Sequence, residues 1–302
     1  MTISEYSDVF HGKKVETYDG GQPDIATKVY RLTLEYDDER RIGDLIEEFL
    51  SKVDKSKLDA LIIGQWNNPA EESSEETLGV LVAHAAELPA LKALFIGDMT
   101  YEDCEISWII QSDYNMLLEN FQSLETLRIR GGNQLELEPF SHPALKQLII
   151  ESGGLPSSVA NALAESSLPA LEHLELWLGT DGYGFDGDVA LYERVLGSLR
   201  TPGLRYLGLR DSDIADDLAV WLAGQSWIEQ LDTLDLSLGT LGDTGAEALF
   251  NSPHVRKLRC LDLSHHYISQ AVQDKLRSLP ISVKLDDAQD EDEGYKYVAV
   301  GE

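Results

Sequence analysis

The chain has 302 residues, 43% of them apolar, and sets 54 acidic against 24 basic side chains for a formal net charge of -30. So acidic a surface repels phosphate backbones and anionic membrane surfaces, which argues against nucleic acid and lipid as partners. The opening stretch MTISEYSDVFHGKKVETYDG has no basic leader or apolar core, and nothing later approaches the ~18 consecutive apolar residues of a membrane span, so a soluble, cytoplasmic protein is expected.

Residues 1–27 fit no repeat. Within them Lys13 to Tyr18, KKVETY, reads as a strand and Gly20-Gly21-Gln22-Pro23 as a loop, together an N-terminal cap. From residue 28 a short apolar phrase returns along the chain. Its copies are Val29-Leu32-Leu34, Leu58-Leu61-Ile63, Leu91-Leu94-Ile96, Leu124-Leu127-Ile129 and Leu145-Leu148-Ile150, then Leu171-Leu174-Leu176, Leu204-Leu207-Leu209, Leu231-Leu234-Leu236 and Leu258-Leu261-Leu263. A degenerate copy ends at Val283 and Leu285.

Most copies are followed by apolar residues at helical spacing: Ile42, Leu45, Ile46, Phe49 and Leu50 after the first, and Val272 and Leu276 after the ninth. Each unit is therefore strand, turn, helix, and units of this length stack into a solenoid. The fourth unit differs, because only 21 residues separate Leu124 from Leu145 and Gly131, Gly132, Pro139 and Pro143 fall between them, leaving no room for a full helix. Residues 287–302 open with an acidic block and end in Tyr295-Lys296-Tyr297-Val298-Ala299-Val300, a β-prone run that could add a capping strand to the last repeat.

The stretch Leu231 to Leu249, LDTLDLSLGTLGDTGAEAL, resembles the leucine-rich-repeat proteins of the ribonuclease-inhibitor-like kind, whose pattern is LxxLxLxxNxLGDxGAxxL. The match runs through Leu241, Gly242, Asp243, Gly245, Ala246 and Leu249, with Gly239 where the family has Asn. The resemblance implies an α/β right-handed solenoid, a horseshoe with a parallel concave sheet and a mostly helical convex side, built from about ten units over residues 28–286. It also implies recognition of another macromolecule without catalysis, as in bacterial intracellular repeat proteins without an assigned activity. The Asn position holds Trp66, Met99, Gly132, Gly239 and His266 in different copies, so the usual side-chain ladder at the turn is not expected.

Alternate strand residues face opposite ways, so the third, fifth and seventh positions of each phrase map the concave surface. Apolar Ile62, Phe95 and Ile149 stand there without a structural duty, beside Arg128, Arg130, Trp177, Tyr206 and Arg210, unless loops or the cap fold over them. Aromatic and Arg residues on a rigid surface are the material of binding hot spots. Glu175 stands on the same face, and Asp235, Asp262 and Asp286 continue the sheet as an acidic end, so the expected partner is a protein with a basic patch.

Other constellations are weaker. Gly182-Tyr183-Gly184-Phe185-Asp186-Gly187 is a literal GxGxxG, but Asp181, Asp186 and Asp188 would oppose a pyrophosphate, and a loop overhanging the concave face is expected instead. Cys260, Asp262, His265 and His266 are metal-ligand types, yet adjacent histidines seldom converge on one ion. No carboxylate pair is singled out by a nucleophile or a phosphate cradle. The expectation is a non-catalytic protein-binding scaffold using its concave face, with no cofactor and no metal. The alternatives are a self-associating structural protein or an enzyme with a pocket under the 179–188 loop.

Overall fold

A computed structural model of the chain describes residues 3–35 and 38–300. The outermost residues of the cap, 1–2, and of the tail, 301–302, lie outside the described residues. Among those described, twelve strands form one sheet in sequential order. The first two are β1 (Val9–Phe10) and β2 (Lys13–Thr17), an antiparallel hairpin turned by His11 and Gly12, both with positive φ. All later pairings are parallel: β3 (Lys28–Leu32), β4 (Ala60–Ile63), β5 (Ala93–Ile96), β6 (Thr126–Arg130), β7 (Gln147–Glu151) and β8 (His173–Gly179), then β9 (Tyr206–Ser212), β10 (Thr233–Asp235), β11 (Cys260–Asp262) and β12 (Ser282–Lys284).

The register follows the leucines. Leu61, Leu94, Leu127, Leu148, Leu174, Leu207, Leu234 and Leu261 pair in turn across the sheet, so the fourth position of every phrase lies in one inward row. Each is at most 1% exposed, and together with the helices they make one continuous core along the solenoid. The first repeat is the exception. Arg31 pairs with Ile62 and Leu32 with Ile63, so Tyr30 and Leu32 take the inward places and the phrase begins two residues earlier than Val29-Leu32-Leu34 implies. The run Val29, Tyr30, Leu32, Leu34 is apolar at both parities, and only the strand ladder decides which residue faces which way.

The convex side carries α1 (Ile42–Lys52), α2 (Glu75–Ala83), α3 (Asn115–Asn120), α4 (Ser157–Ala164), α5 (Val189–Leu199), α6 (Ala215–Ala223), α7 (Asp243–Asn251) and α8 (Gln270–Arg277). Between β6 and β7 no helix forms, as the prolines and glycines there dictate. Some of the acidity is structural. Asp216 accepts from Gly242 N and Gly245 N at the start of α7, Asp243 caps Ser269 before α8, and Asp186 caps Ser157 at the start of α4. Carboxylates on one repeat thus satisfy the free N–H groups and positive end of a neighbouring helix.

The tail does not extend the sheet. β12 pairs only with β11 among the described residues, and the chain beyond it turns back along the concave edge of the solenoid. A capping strand built from Tyr295–Val300 is therefore not what forms. The segment spends its N–H groups on Leu238 O and on the side chain of Asp211 instead.

Candidate partner-binding face

The outward positions of the strands come together on the concave face, but much of that face is covered by the chain itself. Ile62 and Phe95 are fully buried, in a second small core with Phe10, Val15, Val29, Ala60 and Ala93. The Phe10 ring lies 6.2 Å from that of Phe95, so the N-terminal hairpin roofs this end of the sheet. Trp177 is buried too, in a cluster with Ile106, Ala299 and Val300, against which Ile3 and Leu238 pack. The N-terminal and C-terminal segments thus meet over the middle of the sheet. Ile62, Phe95 and Trp177 do face the concave side, but they are not open surface: leaving such area in water would be costly, and the chain's own ends bury it.

Between the two roofs runs a ladder of ion pairs. Arg31, the third position of the first phrase as counted and the fifth once the two-residue slip is applied, forks onto Asp98 at 2.6 Å and donates to Ser7 O at 2.7 Å. The Tyr6 ring lies 4.5 Å above Arg31, and its hydroxyl donates to Asp103; burial, then that carboxylate, pushes the phenol up to about 12. Arg130 lies 3.5 Å from Asp98 and 2.6 Å from Glu151. The other oxygen of Glu151 takes Arg128, whose guanidinium also sits 4.2 Å over Phe95. Burial by itself would raise the Glu151 carboxyl; the two arginines outweigh it and hold it below the usual carboxylate range.

The second half of the face is built alike. Glu175 accepts from Trp177 Nε1 at 2.7 Å and Arg210 Nη1 at 2.6 Å, and His173 Nε2 lies 3.3 Å from its other oxygen. Despite burial, the His173, Arg210 and Trp177 contacts hold this carboxyl well below its ordinary value. Gly208 leaves the room: a Cβ there would come within 3.2 Å of Glu175 Cγ and 3.4 Å of Arg210 Cδ. Asp235 accepts from Tyr206 at 2.6 Å and lies 3.4 Å from Arg210, while Lys284 reaches Asp262 at 2.8 Å. Of the expected acidic end, Asp235 and Asp262 are buried and engaged, as is Glu175 beside them, while Asp286 stays exposed.

What remains open is a lane across the middle strands. Arg128, Ile149, His173, Tyr206 and Arg210 are all half-buried. The His173 and Tyr206 rings stack at 3.9 Å with an interplanar angle of 2°. Of the eleven residues expected on the binding face, Arg128, Ile149, Tyr206 and Arg210 border this lane; Ile62, Phe95, Arg130, Glu175, Trp177, Asp235 and Asp262 are buried. The covering segments carried two readable signals, the His11-Gly12 turn before the Lys13–Tyr18 run and the β-prone run Tyr295–Val300.

The weaker constellations resolve as structure. In the GxGxxG stretch Phe185 is buried 6.4 Å from Tyr192, and Asp188 caps α5 by accepting from Leu191 N. The loop thus packs onto the body rather than overhanging the concave face. His266 is wholly buried, accepts from Ile268 N and faces Leu285 O, which is the turn-supporting work of the missing Asn. His265 points elsewhere, to Asp287. Among the described residues, no group of three or more His, Cys, Asp or Glu side chains is disposed to hold a metal ion. No helix among them is long and apolar enough to cross a membrane.

A sequential parallel sheet with a leucine ladder inside and helices behind defines a leucine-rich-repeat solenoid, and the chain belongs to that family. It is similar to a protein of Bacteroides fragilis known from a crystal structure, at 31% identity over 89% of this chain and 76% of that one, with a TM-score of 0.80. An internalin from Listeria monocytogenes matches at 16% identity over 87% of this chain and 68% of its own, but a TM-score of 0.38 is too low to argue from. No protein-family model matches the sequence, and no curated protein does.

Proposed function

We propose that the chain is a non-catalytic scaffold that binds another protein through the open lane of its concave sheet. The observation that carries this reading is the stacked His173–Tyr206 pair, half-exposed beside Ile149 and flanked by the Arg128 and Arg210 guanidinium groups. Each flanking group is tied down on a strand: Arg210 by Glu175 and Ser237, Tyr206 by Asp235, and Arg128 by Glu151. Rigid aromatic and arginine anchors lose little entropy on binding. The net charge of -30 favours a partner with a basic patch, drawn in by the field of the whole molecule. Free, half-buried Cys104 and Cys260 fit a reducing, cytoplasmic setting.

The test is affinity capture from native lysate with the wild type and with Ile149→Asp/His173→Ala. Loss of the captured protein with unchanged circular dichroism is expected; undiminished capture would defeat the lane as the site. Phe95 and Trp177 are unsuitable targets, since removing either ring empties a core. Self-association through the last strand is less favoured, because β12 is three residues long and presents exposed Ser282 and Lys284. An enzyme pocket under the 179–188 loop is less favoured because Phe185 packs beneath it.

A further inference from the structure

Three consecutive repeats place a residue other than glycine in the left-handed region at the same point, just past the strand. These are Asp211 (φ 52), Leu238 (φ 69) and His265 (φ 58), each seven residues after Leu204, Leu231 and Leu258. For a branched residue such as Leu238 this conformation is unfavourable and is kept only where the surroundings compensate. All three touch the same object, the chain's own segment Tyr297–Val300. His265 Nε2 lies 3.2 Å from Tyr297 O, Leu238 O accepts from Ala299 N at 2.7 Å, and Asp211 Oδ1 accepts from Val300 N at 2.9 Å. The Tyr267 hydroxyl both accepts from Tyr297 N and donates to Tyr297 O.

The pitch fits backbone in general. Tyr297 to Val300, bending at Ala299, crosses two inter-strand steps of about 9.6 Å in all, within the about 10 Å that three residues can span, so a chain laid across the strands meets one repeat after another. The demand on side chains is narrow, because Ala299 and Val300 are each 3% exposed in the seat shared with Trp177 and Ile106.

We infer that this edge of the solenoid is a groove for a peptide segment with small apolar side chains, and that Tyr297–Val300 is its internal occupant, displaced in trans by a partner carrying such a segment. The inference rests on the reading of the chain as a protein-binding scaffold but uses a surface distinct from the open lane. A tethered occupant acts at a millimolar effective concentration, so a free peptide at tens of micromolar competes poorly until the tether is loosened.

The probe is a fluorescein-labelled hexapeptide with the sequence of residues 295–300, titrated by anisotropy into the full chain. Two variants alter the strap and leave the seat intact. Ala299→Asp puts a charge into the apolar seat, and Lys296→Glu sets like charge beside Asp216, now 3.9 Å from the lysine. Relative to wild type, the first is expected to bind the peptide at least tenfold more tightly and the second severalfold. A hexapeptide with Asp in place of Ala299 should bind neither. Equal binding to all three proteins would overturn the inference. So would absence of binding to a variant whose strap amides exchange freely while its circular dichroism stays that of wild type; if Ala299→Asp loses its fold, Lys296→Glu decides alone. Ile149→Asp/His173→Ala should leave the titration unchanged, so either site stands or falls without the other.

Discussion

Glu151 shows how a side chain that looks like surface becomes interior. It is 1% exposed and is shared by half-buried Arg128 and buried Arg130, so deleting it takes the common carboxylate from two guanidinium groups. Glu151→Ala is expected to cost about 3–5 kcal/mol in urea unfolding, the usual penalty for breaking a buried pair from one side; a loss below about 1 kcal/mol would contradict the ladder. Asp211 is the opposite case. Burial pushes its carboxyl up to about 8, only partly offset by the Val300 N–H, and Oδ2 has no hydrogen-bond partner among the described residues. Between its ordinary value and about 8 the folded chain keeps a proton that the unfolded chain has released, so this group lowers stability as pH rises through that window. Asp211→Asn keeps an acceptor for Val300 N and removes the slope. Its melting temperature should match wild type near pH 4 and exceed it by on the order of 5 °C above pH 8. A constant offset at all pH values would speak against a titrating Asp211. Only part of this was legible in the sequence: strand parity marks Glu151, Phe95 and Trp177 as outward and leaves open that loops or the cap fold over such residues, but which segments do so was not legible, because they are remote along the chain.

At the level of elements, the repeating units were legible because burial enforces them. A leucine that must meet its neighbour across every strand pair repeats at fixed offsets, and so do the stripes of the helices behind. The missing helix between β6 and β7 was equally plain from its prolines and glycines. The first repeat was misjudged by two residues because Tyr30 serves there as the inward residue, packed against Tyr18 and Phe49, while Val29 faces the concave side. The hairpin of β1 and β2 does two jobs: it pairs with β3 and it carries Phe10 over Phe95. Val15 sits beneath, 7% exposed. Val15→Asp should therefore cost about 3 kcal/mol and admit protease at the Gly20–Pro23 loop well below the global melting temperature. Cleavage no faster than in wild type would show that the hairpin is not part of the cooperative fold.

On the scale of the whole molecule, the solenoid is a curved sheet that has covered most of its own concave side. Residues from both end segments, Ile3 and Val300, share one cluster over Trp177. On the proposed reading, such an acidic molecule would meet a partner through what it leaves open, the lane of His173 and Tyr206, and through what it can release, the strap on Asp211, Leu238 and His265. Both depend on the end segments lying where the hydrogen bonds of Ser7, Ala299 and Val300 hold them. Hydrogen exchange of the full chain, followed by mass spectrometry, tests that placement most directly. The amides of Ser7, Ala299 and Val300 should exchange orders of magnitude more slowly than in a free peptide. Exchange at free-chain rates, with the strands of the sheet still protected, would contradict it.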